Sequence, residues 1–226
     1  MYQEGKMTKL AKINKPAALS TIAYDALRES ILSFHLKQNI IYNEKSVAQE
    51  MGLSRTPVRE ALLKLASQGL VTFLPRKGFV VSAYTLEDVE EIFELREMIE
   101  TSVAKKISAN VSTAALKTLR ANIAVQHKAA AKKDRHRFML SDREFHFFFF
   151  KLSKNKRLVE ITDNFQDLCH LMGANALRNE ENYERTIVEH EGIVDALESH
   201  DALKTEKAVS RHLAMVKKIV KITLEV

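Results

Sequence analysis

Apolar residues recur at helical spacing along most of this chain. Ala23, Ala26, Leu27, Ile31 and Phe34 form one such stripe and predict a first helix, with Ser20 as its N-cap. Asn43 can cap a short second helix over Glu44 to Met51, which Gly52 stops. Ser54 then opens a third, with Pro57 in its first turn, where a missing N–H costs nothing, and with Ala61, Leu62, Leu65 and Ala66 leading to Gly69. The period changes after Gly69. Leu70 to Phe73 and Phe79 to Val81 are β-prone and flank the basic turn Pro75-Arg76-Lys77-Gly78, which predicts a hairpin. Thr85-Leu86-Glu87-Asp88 looks like a capping box, and helices are expected at about 86–109, 113–132, 134–152, 156–178, 182–199 and 201–223.

These elements predict a mainly α protein: an N-terminal winged helix-turn-helix with a small β-hairpin, then a C-terminal all-α helical bundle. Residues 1–19, polar and aperiodic, read as a mobile arm carrying Lys6, Lys9, Lys12 and Lys15. The winged module is assigned to residues 20–82 and the helical domain to 85–226, with a short join near Ser82.

Composition narrows the function classes. No run approaches the roughly 18 apolar residues of a membrane span, and the N-terminus lacks the pattern of a secretory signal. The single cysteine, Cys169, permits no intrachain disulfide, so a cytoplasmic location is expected. The formal charge of +6 sits entirely in the first third, where residues 1–84 carry 12 Lys and Arg against 6 Asp and Glu. Seven of the 8 histidines lie beyond it. A basic module followed by a neutral, histidine-rich one suggests two jobs.

The basic module suits DNA. Ser54, Arg55, Thr56 and Arg59 project from the N-terminal end of the third helix, on the side away from Leu62 and Leu65. Free N–H groups there attract phosphate, and an arginine can read guanine through two parallel hydrogen bonds in the major groove. Arg76, Lys77 and Gly78 form the wing tip, positioned for a neighbouring groove or phosphate. Taken singly, each arginine is equally compatible with a solvated basic face.

In the second domain Asp142 and His146 are four apart on one predicted helix, hence on one face. His190 and His212 lie mid-helix beside apolar neighbours. A carboxylate and three imidazoles suit Zn²⁺, Ni²⁺ or Mn²⁺, although by spacing alone an inward histidine is more often a hydrogen-bonded core residue. A metal hydrolase is disfavoured, because no HExxH motif or obvious carboxylate base accompanies the set. A sequence-neutral architectural DNA-binding protein is disfavoured by the charge-balanced second domain.

The run Ser54-Arg55-Thr56-Pro57-Val58-Arg59-Glu60-Ala61-Leu62, followed by Leu65 and Gly69-Leu70, resembles the DNA-reading signature of the GntR regulators, in the FadR-like branch with an FCD effector domain. Six helices after the join look like the shorter VanR-type variant. The resemblance covers about residues 20–220. It implies a non-enzymatic homodimeric regulator, usually a repressor, on a pseudo-palindromic double-stranded DNA operator. Arg55 and Arg59 would contact DNA, and Gly78 matches the wing glycine. Lys45 stands where members often carry arginine, which leaves it a phosphate contact. It further implies a divalent metal held by Asp142, His146, His190 and His212, and a small organic acid as effector, with Arg96 orienting the ligand carboxylate or Asp142. His127, His136, His170 and His200 match nothing in this pattern and read as surface or packing residues.

Overall fold

The computed structural model describes residues 18–177, 179 and 181–224. The proposed arm therefore falls, for residues 1–17, outside the described residues. Helices α1 (Leu19–Leu32), α2 (Glu44–Glu50) and α3 (Arg55–Ser67) precede a hairpin of β1 (Val71–Leu74) and β2 (Gly78–Val81). Six helices follow: α4 (Leu86–Ser108), α5 (Thr113–Ala131), α6 (Arg135–Leu152), α7 (Lys156–Ala176), α8 (Glu181–Glu198) and α9 (Ala202–Leu224). The mainly helical class with a winged N-terminal module and a helical C-terminal bundle is as the periodicity predicts.

Local chemistry accounts for most boundaries. Asn43 Oδ1 accepts from the Lys45 and Ser46 amides and so caps α2. Gly52 and Gly69 take φ of +65° and +77°, the left-handed values that end α2 and α3 cheaply. Thr85 and Asp88 form a reciprocal capping box at the start of α4. Two cap expectations are corrected. The first helix begins before Ser20: Ala18 is the N-cap, its carbonyl accepting from the Thr21 and Ile22 amides, and no side chain caps it. Ser54 does hold the N-cap position of α3 in extended backbone, but its hydroxyl makes no cap bond.

The strands pair antiparallel, Val71 with Val81 through Leu74 with Gly78. The α1–α2 connection adds bridges that periodicity does not reveal, Gln38 with Val81 and Tyr42 with Phe79. Gly78 is obligatory there, at φ +132°, because an added Cβ would lie 2.1 Å from the Tyr42 carbonyl oxygen.

A core of Ala23, Leu27, Ile31, Val58, Leu62, Leu65, Leu70 and Phe79 fills the winged module, and Leu171 of α7 belongs to the same cluster. The helical domain has its own core around Leu119, Ile123, Phe138, Phe145, Phe150, Ile187, Ile193 and Leu213. Helix α7 is thus shared. It lends Leu171 to the winged core and, through Gln166, Cys169, His170 and Gly173, lines a cavity in the bundle. No helix among the described residues is long and apolar enough to cross a membrane.

Candidate metal centre and nucleic-acid interface

Helices α6, α8 and α9 bring His146, His190 and His212 together, with one ring nitrogen of each within 4.8 Å of the others. All three rings are buried, at 3%, 0% and 1% exposure. Each is held from behind through Nδ1. His146 Nδ1 lies 2.7 Å from Glu100 Oε2, and His212 Nδ1 lies 2.9 Å from Glu189 Oε2. His190 Nδ1 lies 2.9 Å from Gln126 Oε1, and the Gln126 amide is itself oriented by donating to Asn122 Oδ1 at 2.8 Å.

These partners decide the tautomers. An ionised carboxylate and an amide oxygen only accept, so each Nδ1 carries a proton, and whenever a ring is neutral its Nε2 presents a lone pair. Burial alone would raise the Glu100 carboxyl; Arg96 and His146 outweigh it and hold that group well below the usual carboxylate range. Burial, with the neighbouring rings and Arg96, pushes His190 well below its ordinary value. Burial also lowers His212, against the opposing pull of Glu189. Neutral imidazoles with lone pairs inward are the state in which histidine binds metal.

The donor set fits a divalent ion. His146 Nε2 and His212 Nε2 stand 3.3 Å apart. Two nitrogens about 2.0–2.1 Å from one tetrahedral Zn²⁺ would be separated by about 3.3 Å. His190 Nε2 is buried and has no hydrogen-bond partner among the described residues, a costly arrangement unless a cation takes the lone pair. Imidazoles whose far nitrogen is anchored to a carboxylate or amide are the usual supporting arrangement for metal-binding histidines.

The other expected residues stand around this group. Asp142 is not among the three clustered nitrogens; its Oδ1 lies 3.7 Å from His190 Nε2 and its side chain is 29% exposed, at the rim. Arg96 lines the same cavity, with its Nε on Glu100 at 2.8 Å, its Nη2 3.5 Å from His146 Nε2, and Asp142 close enough to act on its charge. Glu100 lies one turn after Arg96, an i,i+4 spacing that sequence could have flagged. Gln126 and Glu189 had no local signal, because their partners lie on other helices. Cys169 also lines the cavity, yet burial pushes its thiol up to about 12, so it offers no thiolate at neutral pH. His170, expected to be a surface or packing residue, is buried in the cavity lining and bonds the Leu32 carbonyl. His127 pairs with Glu191 at the surface, and His200 Nδ1 with the Ser108 carbonyl. His136 buries its Nδ1 without a hydrogen-bond partner.

On the winged module Lys45, Ser54, Arg55, Thr56, Arg59, Arg76 and Lys77 are all exposed. Arg55 and Arg59 of α3 share a cleft with Pro75 to Gly78 of the wing. Its one acidic member, Glu44 at the start of α2, is bonded by Arg59 Nη1 through both carboxylate oxygens at 2.9 Å. Arg59 is therefore already paired with an acidic group on this face.

Comparison with known proteins agrees with both halves. Residues 19–81 match the family described as bacterial regulatory proteins, gntR family, and residues 91–215 match the FCD domain. The HTH-type transcriptional repressor RspR of Escherichia coli K12 is 24% identical over 215 residues, covering 95% of this chain and 94% of that protein. The gluconate operon transcriptional repressor of Bacillus licheniformis is 30% identical over 182 residues, covering 77% of this chain and 74% of that one. Among solved structures, E. coli McbR/YncC superposes with a TM-score of 0.80 at 21% identity, covering 92% of this chain and all of that one. Such domains and relatives are those of DNA-binding transcription regulators, not enzymes. The chain belongs to the GntR family of transcription regulators, in the group that carries an FCD domain.

Proposed function

We propose that this protein is a homodimeric operator-binding repressor whose DNA affinity is set by a small organic acid at a divalent-metal site in its helical domain. His146, His190 and His212 hold the ion, with Asp142 completing the set from the rim. Arg55 and Arg59 read the major groove of a pseudo-palindromic operator. Ser54, Thr56 and Lys45 contact phosphate nearby, and Arg76 and Lys77 do so from the wing. A bound divalent ion would act as a Lewis acid toward a carboxylate, and Arg96, already beside His146, adds positive charge to the same pocket.

The observation that carries the metal reading is the convergence of three Nε2 lone pairs, each enforced by a bonded Nδ1–H. Metal analysis of untagged protein tests it. About one divalent ion per chain is expected, lost in His146→Ala and His190→Ala. No ion after supplying zinc, nickel or manganese would leave the cluster a hydrogen-bonded core. For the DNA reading, Arg55→Ala and Arg59→Ala should each cost about 1–3 kcal/mol of operator affinity in mobility-shift titrations, with the circular dichroism spectrum unchanged. Unaltered affinity in both variants would refute those assignments.

A further inference from the structure

The face of α7 that lines the cavity carries two buried polar atoms that nothing among the described residues satisfies. His170, 5% exposed, donates Nε2–H to the Leu32 carbonyl at 2.8 Å, which leaves Nδ1 as an acceptor. That Nδ1 has no hydrogen-bond partner. One turn earlier Gln166, 2% exposed, leaves its Nε2 as a donor with no partner. Both side chains line the cavity together with Arg96, Asp142, His146 and His212. Burial lowers His170 to about 4, so its ring is neutral and Nδ1 keeps its lone pair.

A plain carboxylate is acceptor-only at neutral pH. It can satisfy Gln166, Arg96 or a metal ion, but it has nothing to donate to His170. A hydroxyl can. The cavity is also small, about 40 Å³, against the ~300 Å³ at the lower end of pockets for drug-sized ligands. We propose that the pocket selects a small hydroxy acid, whose hydroxyl donates to His170 Nδ1 while one of its oxygens accepts from Gln166 Nε2. This deepens, and rests on, the reading of this cavity as the organic-acid pocket. The contact falls on a ring that also touches the winged module: besides Leu32 at the end of α1, His170 stacks on Phe34 at 5.6 Å between centroids. Ligand recognition and the tether between the two halves thus meet in one side chain.

Calorimetric titration of the full-length, metal-loaded protein tests this with two pairs of acids, each differing by one hydroxyl: glycolate against acetate, and malate against succinate. The hydroxy acid of at least one pair should bind about tenfold more tightly or better. His170→Phe keeps a ring against Phe34 and removes the acceptor, and it should erase that preference while metal content, measured separately, stays unchanged. Equal affinities within both pairs, or no binding of any of the four acids, would overturn the proposal. So would a His170→Phe variant that weakens both members of a pair alike, since the ring would then be structural. If that variant does not fold, the same comparison on metal-stripped wild-type protein decides, because chelation of the ion then adds nothing to the hydroxy acid: a kept preference supports the proposal and a lost one overturns it. A wild-type protein that holds no metal yet prefers the hydroxy acids would sink the metal reading and leave this one standing.

Discussion

At the scale of single residues, the site depends on groups that never face its centre. Gln126 is fully buried on α5, and what it does is accept the proton of His190 Nδ1 while donating to Asn122. Without it His190 is free to carry its proton on Nε2, where a metal cannot bind. Gln126→Leu is therefore expected to lower metal affinity by about 10–100-fold with the fold retained. Competition against a chromophoric chelator would measure this, and an unchanged affinity would show that tautomer control is unimportant here. The three histidines could be placed near inward helix edges from their apolar neighbours, and only the family resemblance grouped them as a set. Their acceptors could not be placed, because Glu100 and Gln126 lie 46 and 64 positions from the rings they hold. Arg96 shows the opposite case: its partner Glu100 stands one turn along the same helix, a spacing the sequence displays.

At the scale of elements, boundaries follow chemistry that acts within a few residues. That is why Asn43, Gly52, Gly69 and the Thr85–Asp88 box could be read directly. Ser20 carries the signal of a cap without being one, because a serine early in an apolar stripe looks the same whether it stands at the N-cap or inside the first turn. The box at α4 matters more than most caps, since this helix follows the join and carries both Arg96 and Glu100. Thr85→Ala should destabilise the protein by about 1 kcal/mol at neutral pH in urea denaturation. Hydrogen bonds from the Thr85 backbone and side chain hold the Asp88 carboxyl below its ordinary value. A depressed carboxyl adds stability above its unfolded pKa of about 3.9 and loses it as pH falls through the folded value. The Thr85→Ala difference should accordingly be smaller at pH 3 than at pH 7, and an equal or larger difference there would contradict this account of the box.

At the scale of the whole molecule, the two halves are joined through α7 as well as through the chain. Asp167, fully buried, accepts from Arg28 of α1 at 2.5 and 2.7 Å and from Arg143 of α6 at 2.9 Å. Arg143 is the neighbour of Asp142, so one carboxylate links the winged module to the helix that carries His146. Asp167→Ala would leave Arg28 and Arg143 with only the exposed Asp163 for a partner, a loss of about 1–3 kcal/mol. Urea denaturation would register it, together with faster proteolysis at the join near Ser82; wild-type stability in the variant would mean that the link is dispensable. The sequence by itself determined the elements, the winged and helical character of the two parts, and the family, because periodicity, caps and a contiguous recognition signature are local properties. Only the tertiary structure decided which histidine nitrogens are bare, that Asp142 stands at the rim, and that His170 belongs to the pocket. It also decided how the halves dock, through contacts such as Leu32 with His170 and Arg28 with Asp167, 138 and 139 positions apart. Those outcomes depend on which helix faces pack together, and no short stretch of chain encodes a choice made between distant surfaces.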